Sequence, residues 1–196
     1  VFAQESGLNI IKTNPSFHTV RVKIGEKEID IASTREEVYP KKGHLPQIFN
    51  IGCPIEKDLK RRDFTINSIA KRTTDGKIID VFSGQEDIHN KKLRIIHNNS
   101  FIDDPTRIIR GLKFSVRFGF ELDEETKKLQ GEYLDNINYD MSYHRLKNEL
   151  VDAFNLNRHE GFDKFIQDKM YRLLGNDQKI PKIESRMIEE AVTKNP

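Results

Sequence analysis

Arg61 to Ala70 reads RRDFTINSIA, two arginines and an aspartate set at the mouth of an apolar run. With Asp58 as an N-cap, LKRRDFTINSIAKR predicts a helix that turns Phe64, Ile66 or Asn67, and Ile69 or Ala70 inward. Arg61 and Arg62 then fall in its first turn, where exposed backbone N–H groups and the positive end of the helix dipole already favour an anion. Helix stability alone would not choose arginine there, so an anionic partner such as a triphosphate accounts for the placement. Asp63 and Asn67, one turn apart, share a face and offer an acceptor and an amide to one sugar or base. An amphipathic helix with a solvated first turn has the same spacing.

On the N-terminal side, GLNIIK, FHTVRVKI and KEIDIAST read as strands between Gly7 and Thr34, with Gly25 at the last turn. In KEIDIAST, Ile29, Ile31 and Ser33 alternate with Glu28, Asp30 and Ala32, the period of a half-buried strand. The pair forms a hairpin with an acidic outer face. Asp30, with Glu28 on the same side, offers oxygen ligands of the kind a hard cation such as Mg²⁺ takes, although a solvated strand face alternates charge in the same way. The next stretch, TREEVYPKKGHLPQIFNIGCP, reads as a long loop.

On the C-terminal side, a TTDGK turn, a KIIDVF strand, a GQEDIHN turn or helix and a KLRIIH strand close a small α/β sheet. After Asn98 the pattern becomes helical. Pro105 opens DPTRIIRGLKFSVRF with Ile108, Ile109, Leu112, Phe114 or Ser115, and Val116 inward; Asp123 caps a helix to about Leu134, Ser142 caps YHRLKNELVDAF, and HEGFDKFIQDKMYRLL is a further helix. The predicted class is α/β plus all-α, with an α/β part over 1–98 and a helical part over 99–196.

The 196 residues suffice for a core without disulfides or metal, and 33 Lys and Arg against 31 Asp and Glu leave a net charge of +2. Any nucleic-acid contact must therefore come from local clusters such as Lys57 to Lys71. The single cysteine, Cys53, excludes an internal disulfide and a thiolate zinc site. No run of about 18 apolar residues is present, so the expected compartment is the cytoplasm, with no membrane partner.

Two further constellations carry charge. In DDPTRIIR, Asp104, Arg107 and Arg110 fall along one helical stripe, where the aspartate can orient the arginines toward phosphate or base edges; a surface salt-bridge stripe has the same spacing. In SYHRLKNEL, Arg145 and Glu149 are an i, i+4 pair beside His144. No His-Asp doublet and no HExxH occurs, so a hydrolase with a histidine-held metal is not supported.

In this order, EIDIASTREEVY (Glu28 to Tyr39), DLKRRDFTINSIA (Asp58 to Ala70), IIDVFSGQEDIHNKKLRII (Ile78 to Ile96) and DDPTRIIRGLKFSVRFGFELDEET (Asp103 to Thr126) resemble the class II tRNA nucleotidyltransferase and bacterial poly(A) polymerase family. The resemblance implies a nucleotidyltransferase head with a small mixed sheet, then a helical neck and the start of a body. It implies template-independent addition of CMP and AMP, from CTP and ATP, to tRNA 3′ ends, addition of A alone, or poly(A) synthesis, with Mg²⁺ held by carboxylates. On that pattern Asp30 is the third metal carboxylate, placed to orient or deprotonate the 3′-hydroxyl. Arg61 and Arg62 meet the triphosphate, and Asp63 and Asn67 meet the ribose and its surroundings. Asp104, Arg107 and Arg110 shape the nucleotide pocket from the neck, and Arg145 and Glu149 carry over from a segment in which family members read Glu-Arg where this chain has His144-Arg145.

The family's GG-x-x-RD segment and DxD pair have no match in the chain. The expectation is an N-terminally incomplete head whose DxD pair comes from an upstream segment or a second chain, and little or no transferase activity from the 196 residues alone. The rival expectation is a non-catalytic RNA- or nucleotide-binding remnant of the same fold.

Overall fold

A computed structural model describes residues 5–137, 141 and 143–175. The chain divides into two compact units, 1–40 with 46–62, and 41–45 with 63–196.

In the first unit, β1 (Asn9–Asn14), β2 (Thr19–Ile24) and β3 (Lys27–Ala32) form an antiparallel sheet in the order β1-β2-β3. The strand alternation expected here is present, but the half-burial expected of KEIDIAST is not, since Ile29 and Ser33 are exposed and only Ile31 of that face is partly buried. Gly25 closes the β2–β3 turn at φ +59°, a conformation that costs glycine little. The register pairs Val20 with Ile31 and Val22 with Ile29 on one face, and Arg21 with Asp30 on the other. The stretch expected to be a loop forms a second hairpin, β4 (Arg35–Val38) with β5 (Gln47–Ile51). Its alternation was hidden by the Pro- and Gly-rich connection between the strands. α1 (Ile55–Lys60) follows, entered from Pro54 and ended by Arg61.

RRDFTINSIA is therefore not a helix. Arg61 and Arg62 stand at the C-terminal end of α1, Thr65–Asn67 is a single 3₁₀ turn, and Ile69–Lys71 is a strand, β6. The helix ends because tertiary partners draw the following side chains apart. Thr65 Oγ1 donates to Asp87 at 2.5 Å, and Thr65 N–H donates to the Arg94 carbonyl at 2.9 Å. These bonds outweigh a helix propensity that β-branched Thr65 and Ile66 already weaken.

In the second unit, β6 pairs with β7 (Ile78–Asp80), and α2 (Gly84–His89) folds back against the 3₁₀ turn. Asp80 caps α2 by accepting from Gly84 N at 2.7 Å and Gln85 N at 2.9 Å. A Cβ on Gly84 would lie 2.3 Å from the Thr65 carbonyl oxygen, so no larger residue fits without moving backbone. The KLRIIH strand shrinks to β8 (Lys92–Leu93), which pairs in parallel with β9 (Glu121–Leu122), while Ile95 switches partner to an isolated antiparallel bridge with Phe64.

The helices are α3 (Ser100–Asp103), α4 (Thr106–Phe118), α5 (Glu124–Asp135), α6 (Tyr143–Leu156) and α7 (Arg158–Gln167). Asp123 caps α5 as its sequence position predicts, accepting from Thr126 N at 3.1 Å. Ser142, the expected cap of α6, lies outside the described residues. The last predicted helix is interrupted at Lys169, which takes a left-handed φ of 56°, and continues as a 3₁₀ turn over Met170–Leu174.

One core joins these helices to the residues before them. Phe64, Leu93 and Ile95 pack in the same cluster as Phe101, Ile108, Ile109, Leu112 and Leu146. Ile108 and Ile109 are fully buried, each worth roughly 1.5–3 kcal/mol relative to exposure. The change of character expected near residues 98–103 thus falls inside the second unit. Residues 41–45 also belong to this unit: Gly43 N–H donates to the Asp103 carbonyl at 3.3 Å, and Arg145 Nη1 donates to the His44 carbonyl at 3.4 Å.

Candidate nucleotide-binding site

In the first unit the charged side chains gather on Asp58. Its side chain is buried, and Oδ1 accepts from Arg35 N at 3.0 Å and from Arg61 Nε and Nη2, both at 2.9 Å; Oδ2 accepts from Arg62 Nη2 at 3.3 Å. Burial alone would raise this carboxyl, but those hydrogen bonds and the charges of Arg61 and Arg62 outweigh it and hold it below its ordinary value of 3.8. Arg61 also reaches Glu37 at 3.2 Å, and Glu37 accepts from Arg35 Nε at 2.6 Å. The position of the pair corrects the dipole argument, since the C-terminal end of a helix is negative and favours cations without any ligand. Asp58, read from sequence as a cap, is the residue that organises them. Its spacing three and four residues before the arginines was the available signal.

Asp30 lies on the exposed face of β3, paired in register with Arg21 on β2. Arg21 Nε and Nη2 donate to its two oxygens at 2.7 and 2.9 Å, and this fork holds the Asp30 carboxyl below its ordinary range. Glu28 shares the same guanidinium at 3.6 Å. No group of three or more His, Cys, Asp or Glu that could hold a metal ion occurs among the described residues. The described residues therefore do not by themselves fit a Mg²⁺ site, since Asp30 is a lone candidate ligand with both oxygens engaged.

In the second unit, buried Asp63 pairs with partly exposed Arg110, whose Nε donates to Oδ2 at 2.6 Å. Asp63 Oδ1 accepts from Phe64 N at 2.9 Å and from Asn67 Nδ2 at 3.0 Å. Desolvation pushes the Asp63 carboxyl up, while the Arg110 charge and these donors pull it down further, so it stays ionised well into acid. Arg110 continues to Glu149 at 3.4 Å, and Lys113 joins Glu149 at 2.6 Å. The expected meeting of Asp63 and Asn67 is present without the helix that predicted it. The link to Arg110, 47 residues later, was not legible from local spacing.

The DDPTRIIR stripe does not stay together. Asp104 precedes α4 and caps it through Thr106 N at 3.2 Å and Thr106 Oγ1 at 2.6 Å, while its other oxygen accepts from Arg145 Nη2 at 2.5 Å. Asp104 thus orients an arginine of α6 and neither arginine of its own helix. Arg107 is buried and donates to Ser100 Oγ at 2.7 Å. Arg110 turns to Asp63, and Arg145 Nη2 also reaches Thr106 Oγ1 at 3.3 Å.

Residues 1–94 match the poly A polymerase head domain. The chain is 39% identical over 130 residues to an A-adding tRNA nucleotidyltransferase of Aquifex aeolicus (strain VF5), covering 65% of this chain and 15% of the relative. It is 32% identical over 160 residues to a CCA-adding enzyme of Enterococcus faecalis (strain ATCC 700802 / V583), covering 79% and 38%. Among solved structures, a CCA-adding enzyme in an apo form superposes with a TM-score of 0.81 at 27% identity, over 98% of this chain and 46% of that one. A tRNA nucleotidyltransferase complexed with a primer tRNA and an incoming ATP analog gives 0.74 at 29%, over 98% and 54%. The chain spans about half the length of these solved relatives and less of the curated ones. Residues 1–94 belong to the poly A polymerase head-domain family, and the chain as a whole is similar to tRNA nucleotidyltransferases.

Proposed function

We propose that the chain is the head-and-neck portion of a template-independent nucleotidyltransferase that transfers CMP or AMP from CTP or ATP to the 3′ end of tRNA. The observation that carries this reading is the Asp63–Asn67–Arg110–Glu149 network, which ties the end of the RRD sequence to α4 and α6 through one buried carboxylate. A network of this kind fixes donors and acceptors before a ligand arrives, and the entropy of ordering them is already spent on folding.

On this reading the side chains divide their work. Arg62, the more exposed of the two arginines at the end of α1, meets the triphosphate, and Arg61, closed between Asp58 and Glu37, holds that turn in place. Asp63 is a positioning residue, since its three donors occupy both oxygens; Asn67 and Arg110 are the groups it presents. Asp104 does the same for Arg145 at the start of α4, and Arg107 supports α3 through Ser100. Asp30 is the carboxylate assigned to the 3′-hydroxyl and Mg²⁺. It would have to part from Arg21, and a pair this exposed, screened by water and salt, does not prevent that. Metal chemistry at Asp30 needs carboxylates beyond those the described residues bring to it, and the 196-residue chain tested alone is expected to incorporate little or no nucleotide.

A primer-extension assay tests the reading, with labelled ATP and CTP, tRNA lacking its terminal residues, and a form that includes the flanking sequence of the whole protein. Incorporation that stops after C, C and A, or after A, supports it. Tight RNA or nucleotide binding without any incorporation favours a non-catalytic binding module instead, and continued A addition favours poly(A) synthesis.

A further inference from the structure

The second unit contains a cleft that shares no lining residue with the Asp63 or Asp104 networks. Its volume is about 230 Å³. Phe101 and Tyr133, 1% and 7% exposed, form its apolar floor with two aliphatic neighbours. Lys42, Asn98, Glu132 and Asn136 supply its polar lining. We propose that this cleft binds a single nucleobase with its phosphate, a site separate from the nucleotide cradle proposed above.

Size and chemistry select that ligand. Sites that enclose drug-sized molecules run to roughly 300–1,000 Å³, so this smaller cleft is sized for one ring system. An aromatic floor suits a flat ring, because bases lose little by leaving water for an aromatic contact. The lining carries the groups that read base edges. A carboxamide presents a donor and an acceptor side by side, the pattern that matches adenine or cytosine edges, and a carboxylate accepts from an exocyclic amine.

These groups are also available. Asn98 and Lys42 make no side-chain hydrogen bond or ion pair among the described residues. Glu132 has only a 4.0 Å approach from Lys128, at the limit of an exposed pair. Asn136 uses one amide hydrogen on the Glu132 carbonyl at 2.7 Å, which fixes its side chain and leaves its oxygen to accept. Among the described lining residues, Lys42 supplies the one cation, suited to a phosphate. Its segment is not a loose loop, since Gly43 and His44 beside it are bonded to Asp103 and Arg145. The ammonium is thus carried on backbone already docked to this unit.

The base could arrive on a free mononucleotide or as an unpaired residue of an RNA strand, and titration separates the two. The ¹⁵N-labelled full chain is titrated with AMP, CMP, ribose 5-phosphate and an unstructured RNA pentamer, following the side-chain amide resonances of Asn98 and Asn136 by NMR. AMP or CMP is expected to shift both, ribose 5-phosphate neither, and Asn98→Ala and Asn136→Ala are each expected to weaken binding about 5–10-fold, the loss of one or two hydrogen bonds. Both positions are exposed, and unchanged far-UV circular dichroism confirms that the variants fold. A pentamer that binds at least tenfold tighter than AMP identifies the RNA strand as the source; equal affinity identifies the free nucleotide. The proposal is overturned by silence of both resonances up to about 5 mM mononucleotide, by equal shifts with ribose 5-phosphate, or by unchanged affinity in both variants. Because the readout is local and needs no turnover, failure of nucleotide transfer would leave this result standing, and the reverse also holds.

Discussion

Replacing Asp63 with asparagine tests whether the second unit depends on its buried carboxylate. The substituted side chain keeps the shape, and its amide oxygen still accepts from Phe64 N and Asn67. Its amide nitrogen then faces Arg110 Nε, donor against donor, where an oxygen stood at 2.6 Å. Two charges about 4 Å apart attract by about 4 kcal/mol at an effective dielectric of 20, and removing one partner of a buried pair costs about 3–5 kcal/mol. Arg110 retains Glu149 at 3.4 Å, and its side chain is 30% exposed, so water and Glu149 recover part of the loss. The expected cost is about 2–3 kcal/mol, a fall in Tm of about 5–10 °C for a chain of this length. Thermal and urea unfolding measure it, and Arg110→Met with the double variant completes a cycle whose coupling energy should exceed about 1.5 kcal/mol. A cost of about 0.5 kcal/mol or less for Asp63→Asn, with no coupling, would show that the pair is incidental.

Gly84→Ala should destabilise by about 3 kcal/mol or more, since its Cβ meets backbone that carries the Thr65–Asp87 bond; wild-type stability on urea unfolding would contradict that packing. Because Asp58 and Asp63 have depressed values in the folded state, their stabilisation is complete above the ordinary value of 3.8 and is lost as pH falls below it. The urea midpoint should therefore be level from about pH 7 to pH 5 and drop toward pH 3, and less steeply in Asp63→Asn; a level profile to pH 3 refutes the ionised assignment. In a form of the protein that turns over, Asp30→Ala should slow the chemical step by orders of magnitude with triphosphate affinity retained, and Arg62→Ala should weaken that affinity. Near-wild-type turnover in the first, or unchanged affinity in the second, removes that residue's assigned role.

Much of the secondary structure was legible because it is locally determined. Alternating Val20, Val22, Ile29 and Ile31 with a glycine between them specify a hairpin, and Asp123 announces a helix by supplying the bond that its first turn lacks. The site was legible in composition and not in geometry. Period and capping rules placed Arg61 and Arg62 in a first helical turn. Asp58 had already been taken by Arg35, however, and Asp63 is claimed by Arg110, a partner that local spacing cannot reveal. The DDPTRIIR stripe misled for the same reason: i, i+3 spacing proposes neighbours, and Asp104, Arg107 and Arg110 each found a better partner elsewhere. The β4–β5 hairpin escaped notice because the connection between its strands, in which Gly43 is buried, looks like solvent-exposed linker.

That connection has a consequence for the order in which the protein is made. Lys41 to Leu45 sit at the tip of a hairpin, the usual place to cut a chain or insert a tag. Here Arg145 grips the His44 carbonyl from 101 residues downstream. The second unit therefore remains unfinished on the ribosome until α6 has emerged, long after residues 41–45 were synthesised. A fragment beginning at Asp63 would hold nearly every helix and still lack this piece of its own surface, and an insertion at Lys42 would be felt in the helices, not only in the hairpin that carries it.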